Sequence, residues 1–126
     1  MAIIGLGTDI VEIARITAHV ERGGDKLAKR VLTPVELNIY QQHSQANRYL
    51  AKRFAAKEAA AKALGTGIGR GVSFQHIHIS NNMEGTPLIS FTDGAHERLV
   101  SLGGSSASIS IADEKNYAVS TVIIES

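Results

Sequence analysis

The stretch Arg53-Phe-Ala-Ala-Lys-Glu-Ala-Ala-Ala-Lys-Ala-Leu-Gly-Thr-Gly67 decides how this chain is read. Alanine is the strongest helix former, so residues from about 46 to 64 are expected as one long helix. Gly65, Gly67, Gly69 and Gly71 end it. With Phe54 as reference and about 100° per residue, Leu50 and Ala61 fall within about 40° and mark a buried stripe. Glu58 lies about 40° to the other side and Lys62 about 80°, so both border the core on one face. Taken alone they make an ordinary i,i+4 ion pair. Lys57 falls on the stripe side near Leu64, where an apolar residue is expected. Its head must either snorkel to water or meet an anion, a carboxylate or a bound phosphate.

Outward from the helix, the pattern divides the chain. Ala2 to Val11 is rich in Ile, Leu and Val and reads as a strand ending near Asp9 to Glu12. Helical spacing follows through Ile13, Ile16 and Val20 and stops at Gly23-Gly24. Asp25 can cap a short helix carrying Leu27 and Val31. Thr33-Pro-Val-Glu36 is a capping box with proline in the first turn, opening a helix to about His43. Beyond the glycines, Val72 to Ile79 and Leu88 to Phe91 read as short strands joined by the turn Asn81-Asn-Met-Glu-Gly85. Asp93 can cap a helix through Leu99 and Leu102. Ala107, Ile109 and Ile111 alternate with serines, and Tyr117 to Ile124 is an apolar strand. Helices early and strands late, with the first strand at an edge, predict an α+β fold: a small antiparallel sheet packed against the long helix.

The apolar fraction of 44% and charged fraction of 20% exclude a disordered chain. Residues 1–126 read as a single domain. No apolar run approaches the roughly 20 residues that span a bilayer, no signal segment opens the chain, and cysteine is absent. A cytoplasmic location without membrane association is expected. The net charge of +1 hides an uneven distribution. Residues 48–70 carry six cations against Glu58 alone, residues 15–30 five against two acids, and residues 71–126 two against six. The basic half should attract an anionic partner. A nucleic-acid-binding domain is the alternative reading, but three Phe and three Tyr provide no visible stacking motif, so no nucleic acid is expected.

Asp9, closing Gly5-Leu-Gly-Thr-Asp9, is followed by Ile10-Val11, so the chain is still extended there and a turn role is weakened. Were Asp9 and Glu58 to converge, they would offer carboxylate oxygens without imidazole or thiolate. That donor set selects magnesium or a similar hard ion, with substrate phosphate oxygens completing the shell. Neighbouring lysines would offset the remaining phosphate charge. His76 and His78 share a predicted strand face but lack a third ligand. The glycines follow a helix rather than precede one, so they build no phosphate nest at a helix start.

Gly7-Thr8-Asp9-Ile10-Val11-Glu12, Arg53-Phe54 leading into Lys57-Glu58-Ala59 and Lys62-Ala63, and Gly65-Thr66-Gly67 resemble the holo-[acyl-carrier-protein] synthases. These are the small class of 4′-phosphopantetheinyl transferases. The resemblance runs nearly the full chain, including the Tyr117-Ala118 strand, and implies the 4′-phosphopantetheinyl transferase fold. It implies transfer of the 4′-phosphopantetheine arm of coenzyme A to a serine of apo acyl carrier protein, in support of fatty acid biosynthesis. On the matching positions, Asp9 and Glu58 resemble the magnesium ligands. Catalysis would rest on these two acids and Lys62. Lys62 and Lys57 resemble partners of the coenzyme A phosphates, with Arg53, Gly65 and Thr66 as further substrate contacts. Arg15 and Arg22 fit a docking face for the acidic carrier protein. The resemblance also implies a homotrimer with active sites between subunits. One departure stands out: many members have a Ser-His pair where this chain has Ala112-Asp113, so nothing carries over there.

Overall fold

The computed structural model describes residues Met1–Ser126. In chain order it forms β1 (Ile3–Glu12), α1 (Ile13–Gly23), α2 (Lys26–Val31), α3 (Pro34–Gln42), α4 (Ala46–Ala63), a 3-10 turn (Phe74–His76), β2 (Ile77–Asn81), β3 (Pro87–Phe91), α5 (Asp93–Ser101), β4 (Ser106–Asp113) and β5 (Tyr117–Glu125). The α+β architecture and the antiparallel sheet on a long helix are as the sequence predicts. The strands divide into two sheets, however. One has the order β1-β5-β4, with β1 at its edge, and the other is the β2-β3 hairpin. The sequence turn around Asn82–Gly85 closes that hairpin locally, while β4 pairs along its whole length with β5.

Three local expectations need correction. Residues 72–79 are not one strand: the Ser73 hydroxyl accepts from Gln75 N–H, and His76 Nδ1 accepts from Ser73 N–H. These bonds wind Phe74–His76 into the 3-10 turn, so His76 and His78 do not share a strand face. Asp25 makes no cap; its carboxylate pairs with Lys29 at 3.2 Å. Nor does Asp93 cap α5: Thr92 holds that position, and Asp93 is the first helical residue, at φ 50°. By contrast, Thr33 and Glu36 form both bonds of the capping box.

Helix α4 is not the one-striped helix that its spacing suggests. Leu50, Ala51, Ala55, Ala56, Ala59, Ala60, Ala61 and Ala63 are all buried, covering almost every direction. One half packs with Val11, Ile16, Val31, Leu32 and Ala118, and the other with Ile77, Ile79, Leu99, Val122 and Ile124. Alanine suits a helix enclosed by sheet on one side and helices on the other, because short side chains let neighbours come close. Phe54, the reference for the stripe, is only partly buried.

The closest neighbour is β1. A Cβ at Gly7 would sit 2.1 Å from the Ala59 carbonyl oxygen, and one at Gly5 2.3 Å from that of Ala63. Real Cβ atoms do not approach oxygen so closely, so both positions must be glycine for β1 to lie against α4. Asp9 follows on the same face of the strand, since residues 5, 7 and 9 alternate inward. Two glycines therefore set how near Asp9 comes to the helix.

Candidate active site

Asp9 sits inside β1, opposite Ser120 of β5, and no turn forms there. Its Oδ1 accepts from Lys62 Nζ at 2.9 Å, and the same ammonium donates to the Thr8 carbonyl at 3.0 Å. The expected Glu58–Lys62 ion pair does not form; Lys62 reaches across to the strand instead. Glu58 lines a cavity of about 370 Å³ together with Asp9, Arg15, Arg30 and Phe54. Burial pushes the Glu58 carboxyl above its ordinary value of 4.5, and the nearby Asp9 charge pushes it further, while Lys62 and Arg30 pull it back. Two carboxylates thus line one cavity, and the charge on Asp9 disfavours ionisation of Glu58. A hard cation between them would offset that charge, with water and phosphate oxygens filling its other positions. The donor set fits magnesium.

Arg15, exposed on α1, borders this cavity, and Arg22 lies in the last exposed turn of the same helix. Arg30 was not singled out by the sequence. It reaches the cavity while its guanidinium stacks 5.5 Å from the Phe74 ring. Only its place among the five cations of residues 15–30 hinted at it. Thr66 and Gly65 form the turn that ends α4, with Thr66 N–H and Gly67 N–H both donating to the Ala61 carbonyl. Arg98 Nε donates to Leu64 O at 2.9 Å and steadies that turn from α5.

Lys57 is a correction to the expected phosphate contacts. It is completely buried, and its Nζ donates to Glu36 Oε1 at 2.6 Å, Val31 O at 2.8 Å and Phe74 O at 3.1 Å. All three ammonium donors are used, so none is left for a phosphate. The anion it needed is Glu36, whose other oxygen accepts from Ile79 N–H at 2.9 Å. Burial pushes the Lys57 ammonium below its ordinary value, and Glu36 opposes that shift. Glu36 looked like a helix cap and nothing more; Lys57's awkward position on the stripe was the available clue to its partner.

Arg53 is also placed apart. It projects about 140° around α4 from Glu58, into a second cavity of about 420 Å³ with Arg48, Lys52, Tyr49 and Asn81. Its Nη2 donates to Asn81 Oδ1 at 2.8 Å and its guanidinium lies 4.8 Å from the Tyr49 ring. Within one chain, then, Asp9, Glu58 and Lys62 meet, while Arg53 opens on the other side of the helix.

A fold in which a glycine-backed strand brings an acid to a central helix carrying Glu58 and Lys62 defines a class. The family model for the 4′-phosphopantetheinyl transferase superfamily matches residues 5–122. The chain is 75% identical, over all 126 of its residues and 99% of the relative's length, to the holo-[acyl-carrier-protein] synthase of Shewanella sp. (strain ANA-3). It therefore belongs to the holo-[acyl-carrier-protein] synthase family within that superfamily. Among solved structures, the holo-[acyl-carrier-protein] synthase of Neisseria meningitidis superposes with a TM-score of 0.93 at 42% identity, covering 99% of this chain and 100% of that one. The Helicobacter pylori enzyme, solved in complex with coenzyme A, gives 0.83 at 35% identity, covering 95% and 99%. The resemblance carried by residues 7–12 and 53–67 is thereby borne out at the level of family and fold.

Proposed function

We propose that this chain, acting as a single domain in the cytoplasm, transfers 4′-phosphopantetheine from coenzyme A to a serine hydroxyl of apo acyl carrier protein, a step that supports fatty acid biosynthesis. The products are holo acyl carrier protein and adenosine 3′,5′-bisphosphate. The observation that carries the reading is that Asp9 and Glu58 line one cavity while Lys62 Nζ bonds to Asp9. Coenzyme A is bound in the solved relative from Helicobacter pylori, which supports the substrate.

Asp9 and Glu58 would hold magnesium, which supplies positive charge to the diphosphate and makes its phosphorus more electrophilic. The serine oxygen forms a bond to the phosphorus that bears the pantetheine arm. The phosphoanhydride bond breaks, and its electron pair leaves on the nucleotide 5′-phosphate. Lys62, held at the edge of the cavity by Asp9, stabilises the charge growing there. Glu58, or a water held beside it, is placed to take the serine proton. Gly65 and Thr66 offer backbone and hydroxyl contacts at the end of α4. Arg15 and Arg22 give α1 a positive face for the acidic carrier protein.

Two observations support an assembly with sites between subunits, which the family resemblance implies is a homotrimer. Leu6, Ile10, Tyr117 and Val119 leave an apolar outer face on the β1-β5-β4 sheet. In addition, the Arg53 cavity lies across α4 from the carboxylates, so another copy is the source that can bring it beside them. Mixing the protein with coenzyme A, magnesium and apo carrier protein tests the activity: the carrier gains the mass of one pantetheine arm. Glu58→Gln should lose about 100-fold or more in turnover, the scale of general acid–base catalysis. Near-normal transfer by that variant at low magnesium would reject both of its roles.

A further inference from the structure

The Arg53 cavity has an unusual electrostatic interior. Arg53 is only 5% exposed, yet its Nε finds no hydrogen-bond partner, and the Tyr49 hydroxyl beside it is equally unpaired. Buried donors without protein acceptors are rare, and these are available to a polar ligand entering the cavity. Two further cations line the same cavity, Arg48 and Lys52, but these are not free. Arg48 Nη1 donates to Asp113 Oδ2 at 2.9 Å, and Lys52 Nζ lies 3.5 Å from Asp113 Oδ1. Asp113 does not line the cavity; it stands at the end of β4 and holds two of the three cations that do.

We propose that Asp113 is a specificity-determining residue that competes, as a built-in carboxylate, with the phosphate-bearing nucleotide end of coenzyme A for Lys52 and Arg48. The inference rests on the coenzyme A reading above. An incoming phosphate monoester must share or displace these contacts, so Asp113 lowers its affinity and leaves Arg53 as the unopposed attraction. Arg48 does not depend on Asp113 for its position. Its guanidinium also donates to the carbonyls of Glu114 at 2.6 Å and Lys115 at 3.0 Å, which anchor it to the β4–β5 turn. Lys52 has no such second tether, so it is the cation released when the carboxylate is neutralised.

The test is Asp113→Asn, with Asp113→Ser as a second variant and thermal melting to establish that each is folded. Binding of adenosine 3′,5′-bisphosphate is measured by calorimetry and KM for coenzyme A by carrier mass gain. Neutralising two exposed-pair contacts predicts about three- to tenfold tighter bisphosphate binding and a matching fall in KM, with kcat within about twofold. The gain shrinks at ~0.5 M salt, where exposed charges are screened. Adding Lys52→Met removes most of it. Unchanged or weaker bisphosphate binding in both folded variants overturns the proposal, because Asp113 would then only brace Arg48. Tighter bisphosphate binding in a protein that transfers no pantetheine would sink the coenzyme A reaction while leaving the competition intact.

Discussion

Replacing Gly7 with alanine adds one methyl group at the tightest contact between β1 and α4. That methyl would start 2.1 Å from Ala59 O, 2.5 Å from Ala63 N and 3.0 Å from the Lys62 Cβ. An ordinary carbon–oxygen contact is more than 3 Å, so strand and helix must part by about 1 Å, and both obstacles are backbone that cannot rotate aside. Overpacking of this kind costs about 1–3 kcal/mol. For a chain of this size, that lowers the melting temperature by roughly 4–12 °C. The functional loss is larger than the structural one. Asp9 is two residues along the same face, so the displacement opens its gap to Glu58 and pulls on the Lys62 bond. A misplacement of about 1 Å in a catalytic arrangement costs about 100-fold in rate. Gly23→Ala is the control, because its methyl meets nothing nearer than 3.9 Å, at the Lys26 side chain, and it lies in α1. Urea melts and pantetheine transfer to a carrier protein measure the two effects. Gly7→Ala with wild-type melting and wild-type turnover would refute the claim that the glycines set the site geometry.

Lys57→Met should be destabilised by about 3–5 kcal/mol, since it strands the buried Glu36 carboxylate. Pairing it with Glu36→Leu should recover much of that loss; two single losses that simply add in urea melts would argue against the ion pair. Glu58 gives a pH-dependent stability with a definite sign. Its folded value is raised, so the unfolded chain loses this proton first, and stability falls as pH rises from about 4.5 through the folded value. In chelator, Glu58→Gln should therefore melt higher than the parent at pH 7 and lose that advantage near pH 4; a lower melt at pH 7 contradicts a carboxyl raised by burial and by Asp9. Added magnesium should narrow the gap at pH 7 by stabilising the parent through binding to the folded state.

Much of the fold was legible because local signals agreed. The capping box at Thr33 and Glu36, the Gly23-Gly24 stop and the alternation from Ala107 to Ile111 each specify one element with little help from elsewhere. Asp9 and Glu58 were legible as acids that could converge, but the bond from Lys62 to Asp9 was not. Spacing along a helix suggested Glu58 with Lys62, whereas a strand from the start of the chain supplied the nearer acid. Phe74–His76 escaped because the Ser73 hydroxyl accepts from Gln75 N–H and the His76 ring from Ser73 N–H, side-chain bonds that a period-2 pattern does not encode. Lys57 shows the limit most clearly. Position alone said that it needed an anion, but Glu36 is 21 residues away on another helix, and only packing could choose a carboxylate over a phosphate.

The enclosure of α4 explains why these failures and the proposed assembly share a cause. A helix with a single apolar stripe has one inner and one outer face, and its charged residues can be sorted by angle. This helix is buried almost all round, so charged residues survive on it only where each has a specific partner or opens on a cavity. Lys57 has Glu36, Lys62 has Asp9, Glu58 has the carboxylate cavity, and Arg53 has Asn81 and an unfilled donor. The last two open on opposite sides of one rigid rod. No rotation of side chains brings Arg53 around α4 to Glu58. If both contribute to one coenzyme A, they must come from different copies of the chain. Mixing Glu58→Gln with Arg53→Ala subunits then becomes a direct check. Each variant alone should be nearly inactive, whereas mixed assemblies should regain activity from the sites that draw Glu58 from one parent and Arg53 from the other. Absence of any recovery in verified mixed assemblies would place the whole reaction within one chain.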